Sequence, residues 1–405
     1  MSAIVVSDYR HANDTLRMTD LRQALYDEGA ILMDKVLVNL HGEEHRSRRA
    51  IETKVFRRDF FEWYEKQVFP ATLHETLAPY LASGKTDLVD LGFRVMMNLT
   101  ADFAGVDRPA RTPEETARLL RILRTFGKAA TLGQALGDRE AIREEIRQAL
   151  AEFDADFFRP SLERRHTLLA KFARGDIGED DLPRDVLVEL LRGAGDKPIS
   201  HDVLMKEIGF FLLAGAFTSI HTLTHAMHDI FSWSAAHPND APQYAQDPVF
   251  LQKAIHESMR LHPSSPTAGR KPTCPVHLPT GQDATPDDMV SVDLMTANRD
   301  TTVFGADAAE YNPHRPAPQG ASPYGLSFGV GMHSCIGQTL AAGSLPRAGA
   351  IGREHHLGTV SLIAHALMQH GARPDPAQPG IVDRSTVRNN WSTYPILLQR
   401  AKALP

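Results

Sequence analysis

The chain has 405 residues, 42% of them hydrophobic and 23% charged, the make-up of an ordinary water-soluble globular protein. Its formal net charge of -6 argues against a nucleic acid as the main partner, because phosphate binding needs a basic surface. Its two cysteines, Cys274 and Cys335, lie far apart and form no disulfide framework, which points to a reducing, cytoplasmic setting.

In chain order, the opening MSAIVVSDYR lacks the basic and apolar segments of a secretory signal. HGEEHRSRR puts His45 and Arg49 four residues apart, on one face of a predicted helix. Glu140 to Phe158 has the spacing of an amphipathic helix with a charged outer face. DLPRDVLVELLRGAG, Asp181 to Gly195, starts with an acidic turn and a proline and stops at glycine, the punctuation of another helix. From Ser200 to Trp233 runs a long helix that is apolar on more than one face, the mark of a buried central element. Its most apolar run, Ile208 to Phe217, is too short to span a bilayer, so no membrane partner is expected. His221, His225 and His228 recur along this helix at helical spacing. A zinc site can be drawn from them, but pocket lining or partnered core histidines is the simpler reading.

After Pro263 the composition shifts to proline, glycine and β-branched residues, which predicts short strands and turns. No linker separates independent units. The expected architecture is a single domain over residues 1–405, mainly α with a small β region and without βαβ alternation.

The stretch SFGVGMHSCIGQTLAA, Ser327 to Ala342, holds Phe328, Gly329, Gly331, His333, Cys335 and Gly337. Its glycines let the backbone turn tightly and approach a flat partner where a Cβ would collide. Cys335 falls just before a predicted helix, whose N–H groups stabilise a thiolate, and such a thiolate can ligate a haem iron. The stretch resembles the F-x-x-G-x-x-x-C-x-G signature of the cytochrome P-450 superfamily, the haem-thiolate monooxygenases, in the form found in soluble bacterial members. Further matches follow in family order. HESMRLHP holds Glu257 and Arg260, and YNPHRP holds Arg315, which resemble the buried Glu/Arg/Arg set that fixes the haem-loop scaffold. LLAGAFTSIHTLTHA resembles the A-G-x-[DE]-T segment through Ala214, Gly215 and Thr218. His45, Arg49, Arg270 and His333 match the partners of the haem propionates.

The resemblance implies the P-450 fold and haem b, iron protoporphyrin IX, with Cys335 as axial ligand and Phe328, Gly329 and Gly337 shaping its loop. It implies that Gly215 lets the helix loosen beside dioxygen and that Thr218 supplies a hydroxyl for proton delivery. The implied reaction is oxidation of a small, largely apolar organic substrate, with electrons from NAD(P)H through a separate ferredoxin and ferredoxin reductase. Phe211, Phe217, His221 and Thr267, together with Phe210, are expected to line the substrate pocket.

Three departures from the family pattern stand out. Phe217 replaces the acidic residue before the threonine, so protons must come through Thr218, Ser219 and ordered water, from a polar group on the substrate, or be dispensed with in a peroxide-driven or non-oxygenase reaction. A non-catalytic haem sensor or carrier is a further rival, opposed by Thr218 and the apolar central helix. The segment ahead of His45 is short, which suggests a fold shortened at its N-terminus. Gly343 to His356, with Pro346 and several glycines, interrupts the helix expected after the cysteine, and Arg347 and Arg353 are candidates for docking an acidic ferredoxin. Cys274 reads as structural.

Overall fold

The computed structural model describes residues 3–110, 112–195, 198–346 and 355–399. Strand β1 (Ala3–Val6), helix α1 (Tyr9–Arg17) and strand β2 (Leu21–Gln23) come first. The Asp8 carboxylate starts α1 by accepting from the His11 N–H, a side-chain cap for an otherwise unpaired donor. Both strands are claimed by the segment after Pro263. Strand β3 (Thr267–Pro272) pairs antiparallel with β2 and with β4 (Met289–Asp293), and β4 pairs parallel with β1. The short N-terminal segment therefore does hold early strands, and the register sets Gln23 opposite Arg270.

Helix α2 (Gly42–Glu52) carries His45 and Arg49. Helices α3 (Leu88–Ala104) and α4 (Pro113–Thr131) pack against α5 (His201–Ala236), the long central helix. α5 starts at Ser200, whose hydroxyl accepts from Val203 N–H. By length and composition α5 is long and apolar enough to cross a membrane, but 61% of its most apolar window is buried inside the protein. Ile208, Ala216, Ile220 and Met227 are fully buried, and full burial of a large apolar side chain contributes roughly 1.5–3 kcal/mol. The close approach of α3 and α5 depends on glycine. A Cβ on Gly215 would lie 2.6 Å from Thr100 Cγ2. The helix stays regular across Ala214 to Thr218, so in this structure Gly215 serves packing and leaves no local loosening.

The predicted helix at Glu140–Phe158 is observed as Arg139–Phe153 followed by one π-helical turn, Asp154–Phe158. The one expected within Asp181–Gly195 spans Val186–Gly193, because Asp185, and not the earlier acidic turn, caps it at Val188 N–H.

Helix α6 (Pro248–Leu261) carries Glu257 and Arg260. The helix after Cys335 is split into α7 (Gln338–Ala342) and α8 (Thr359–Gln369). The excursion between them is closed at its base. Ser344 and His356 exchange backbone hydrogen bonds, and the Gln252 amide donates to the carbonyls of Ala342 and His356. The Glu65 carboxylate accepts from the N–H groups of Leu357 and Gly358. Arg347 and Arg353 lie outside the described residues. Near the C-terminus, β5 (Ile381–Val382) and β6 (Trp391–Thr393) form an antiparallel hairpin.

Candidate functional site

A cavity of about 320 Å³ lies between α5, the Cys335 loop, α2 and the start of β3. On the loop side it is lined by Phe328, Gly329, His333, Cys335 and Gly337, and by His45 and Arg49 of α2. Thr267 and Arg270 line it from β3, and Ala214, Gly215, Phe217, Thr218 and His221 from α5, with Phe210 and Phe211 a turn earlier. Residues scattered from 45 to 337 thus converge on one space. Cys335 is the informative case: it has accessible surface although it is an interior residue, because the surface it exposes belongs to the cavity.

The loop that presents Cys335 is held by its own backbone and by a polar bridge. Cys335 N–H donates to Phe328 O at 2.8 Å, and Gly329 N–H to Leu326 O at 2.8 Å. Gly331 has φ of +74° and sits so close to α1 that a Cβ would come within 2.8 Å of Leu16 O, so only glycine fits. Asn298 ties the loop to the buried ion set. Its amide donates to Arg260 O and Ser327 Oγ at 3.0 Å each, and its oxygen accepts from Leu326 N–H at 2.7 Å. Arg260 in turn makes a two-pronged bond with Glu257, 2.7 and 2.8 Å, and donates to Asn298 O. Arg315 Nε donates to the same carboxylate at 2.9 Å. Glu257, Arg260 and Arg315 lie outside the cavity lining and act on it through this bridge. Asn298 has no motif around it, and sequence reasoning passed it over.

The charges at the cavity wall are one-sided. Arg49, Arg270 and Arg388 line it, and among the described residues no Asp or Glu does. Arg49 Nη2 donates to Ser334 O at 2.8 Å, and Arg270 Nη1 to Gln23 Oε1 at 2.9 Å and Gly269 O at 3.0 Å. Burial pushes the Arg270 guanidinium down to about 10, which reports a cation short of a counter-charge. His45 and His333 face each other with ring centroids 4.6 Å apart, and all four of their ring nitrogens are buried without a partner. Burial first, and the neighbouring cations second, hold them neutral, His45 at about 4 and His333 at about 3. Leaving such groups unsatisfied costs roughly 1–3 kcal/mol each. Two carboxylates placed among Arg49, Arg270, His45 and His333 would answer these donors. Burial pushes the Cys335 thiol up, opposed by the Gly337 N–H and by the charge of Arg49.

On the α5 side the Thr218 hydroxyl donates to Ala214 O at 2.8 Å. Thr222 and Ser264 hydroxyls both donate to Thr218 O, at 2.8 and 3.1 Å, and lie 3.1 Å from each other. The Phe217 ring stacks against α4 at Gly127, where a Cβ would meet it at 2.2 Å, and meets Phe93 edge-on at 5.0 Å. Phenylalanine here closes the joint between α3, α4 and α5. The three histidines of α5 disperse. His221 faces the cavity, His225 stacks on His262 at 4.5 Å, and His228 bonds the Tyr394 hydroxyl at 3.0 Å. Among the described residues no group of three or more potential metal ligands gathers, so the partnered-histidine reading replaces the zinc site. Cys274 is exposed in a turn after β3, a surface thiol and not the structural residue expected.

A sequence model of the family described as Cytochrome P450 matches residues 242–345. The chain is 29% identical over 213 residues to the mycinamicin VIII C21 methyl hydroxylase of Micromonospora griseorubida, covering 52% of this chain and 51% of that one, so the match spans about half of that relative. It is 26% identical over 339 residues to the erythromycin C-12 hydroxylase of Saccharopolyspora erythraea, covering 82% of this chain and 77% of that one. Among solved structures, CalO2 superposes with a TM-score of 0.74 at 20% identity, covering 98% of this chain and 90% of that one.

Proposed function

We propose that the chain belongs to the cytochrome P-450 superfamily, and that residues 1–405 act as one haem-thiolate monooxygenase domain that oxidises a small, largely apolar organic substrate. The observation that carries this reading is the convergence on one cavity of the Cys335 sulfur, two arginines without carboxylate partners and four orphaned imidazole nitrogens. Haem b fits that donor set. Cys335 would ligate the iron, and Arg49, Arg270, His45 and His333 would hold the two propionates, for which an arginine fork is suited. Bound there, the haem supplies an iron that activates dioxygen, with thiolate donation favouring O–O cleavage. Two relatives named as hydroxylases support oxidation of an organic molecule.

The chain's own residues do the rest. Phe210, Phe211 and Phe217 present apolar surface to the substrate and exclude water. Thr218 Oγ holds a proton within reach of the cavity. With Phe217 in the acid's usual place, Thr218 and Ser219 on the cavity wall carry the proton through ordered water, and the hydroxyls of Thr222 and Ser264, which donate to Thr218 O, hold that turn in place. Electrons come from NAD(P)H through a separate ferredoxin and ferredoxin reductase, in the cytoplasm. The absence of any lining carboxylate among the described residues favours one second reading, a peroxide-driven enzyme.

The deciding experiment is the carbon-monoxide difference spectrum of the haem-loaded, dithionite-reduced protein. A strongly red-shifted Soret band supports thiolate ligation by Cys335. A band at the ordinary position means that the sulfur does not ligate, and the proposal falls. Product formation with hydrogen peroxide that matches or exceeds turnover with NAD(P)H, ferredoxin and reductase would select the second reading.

A further inference from the structure

Two of the three cavity arginines have carboxylate ligands in the reading above. The third, Arg388, does not, and no motif marks it. It sits in the turn of the β5–β6 hairpin, and that turn is built to deliver it inward. Asp383 N–H donates to Asn390 O at 2.8 Å, closing the turn at its base. The tip is pinned to the chain after α4 by an antiparallel bridge between Ala135 and Thr386, with Leu136 N–H donating to Ser385 O. From there Arg388 Nε donates to Gln134 Oε1 at 2.6 Å and Nη1 to Ser264 O at 3.0 Å. A guanidinium has five N–H donors. Nη2 has no partner among the described residues, and Arg388 forms no ion pair there.

The position is specific. Ser264, which accepts from Arg388, donates through its hydroxyl to Thr218 O, so the guanidinium stands one residue from the Thr218 turn. The groups facing it are Gln134, the phenol of Tyr26 and the ring of His221, which burial and Arg388 together hold neutral. Asp383, on the same hairpin, faces His221 and accepts from Ser385 N–H, and it forms no ion pair with Arg388. Burial lowers the Arg388 guanidinium, as it does Arg270. An enclosed cation carries a desolvation cost that a well-placed anion offsets, and a planar fork offers two parallel bonds to a carboxylate.

We propose that Arg388, with Ser264 and Gln134 holding it in place, anchors a substrate carboxylate, so that the substrate is an apolar acid whose oxidised carbon is set by its distance from that anchor. This rests on the monooxygenase reading for the oxidation step. The binding claim is separable from it.

The test uses the haem-loaded protein and isothermal titration calorimetry with dodecanoate and 4-cyclohexylbenzoate, each beside its own primary amide. The parent should bind the acids about 10- to 100-fold more tightly than the amides, the range of a hydrogen bond to a charged group. Arg388→Met should abolish that preference by weakening acid binding far more than amide binding, while Arg388→Lys should restore part of it. Equal binding of acids and amides by the parent, or an undiminished preference in Arg388→Met, overturns the proposal. So does loss of haem from both variants, which would make Arg388 a haem or hairpin residue. The calorimetric preference does not depend on the carbon-monoxide spectrum, so failure of the subsite and failure of thiolate ligation are read separately.

Discussion

Two groups of buried and half-buried arginines serve the Cys335 loop and its cavity, and they are treated differently by the fold. Arg260 and Arg315 spend their donors inside the protein, on Glu257, on the carbonyls of Asn298 and Ala308 and on Asp307. Arg49, Arg270 and Arg388 donate only to neutral carbonyl, amide and hydroxyl oxygens among the described residues, and all three border the cavity. An internally paired charge holds a scaffold, because removing either partner strands the other in a low dielectric. A charge left short of an opposite partner at a cavity wall is stable only with a ligand's help. The distinction separates architecture from binding without reference to any motif.

The largest effect should come from breaking the paired group. Glu257→Gln leaves Arg260 without a carboxylate and Arg315 with Asp307 alone, and should cost about 3–5 kcal/mol in urea unfolding, with loss of the red-shifted carbon-monoxide band. A midpoint within error of the parent would show that the ion set is dispensable.

The same kind of change in the unpaired group should behave in the opposite way. Arg270→Leu removes a cation with no carboxylate near it, so the haem-free protein should unfold no more easily than the parent. The loaded protein should lose haem to an acceptor about 10- to 100-fold more readily, the worth of a charged hydrogen bond. A destabilised haem-free variant would move Arg270 into the scaffold group.

Buried histidines sharpen the contrast through pH. Burial lowers His225 to about 3 and His256 to about 4, below the ~6.5 of an unfolded chain. The unfolded state therefore binds more protons below pH ~6.5, and stability falls as the pH drops from there towards 4. The slope is up to about 1.4 kcal/mol per pH unit for each group. His256→Gln should flatten it, and an unchanged pH profile of thermal unfolding would place the titration elsewhere.

Thr218→Ala should be the mildest change to the fold, within about 0.5 kcal/mol, since its hydroxyl faces the cavity and bonds only its own helix. Its effect belongs to chemistry: more peroxide and less product for each NAD(P)H consumed. Unchanged coupling would remove Thr218 from the proton route.

Short-range features were legible before any fold was seen. The glycine-spaced cysteine loop, the Glu257–Arg260 pair one turn apart, and the apolar run of α5 each reside in a few consecutive residues, where spacing alone dictates geometry. Asn298 and Gln23 were not legible, because each works through a partner that is distant in the chain. Asn298 meets the Cys335 loop at Leu326, and Gln23 meets Arg270 across a strand pair. The histidines of α5 show the limit of periodicity. The same spacing that suggested a shared metal sends each ring to a different neighbour, since positions 221 to 228 share a helix face but spread over about 10 Å of its axis, too far for one ion.

By itself, then, the sequence determined the family resemblance, the central helix and the residues at the cysteine, because local spacing and helical period are written residue by residue. Only the tertiary structure decided which arginines are paired, that Phe217 packs against Gly127 and that a hairpin near the C-terminus carries Arg388 into the cavity. Those outcomes depend on desolvation and on contacts between segments tens to hundreds of residues apart, and neither has a local signature.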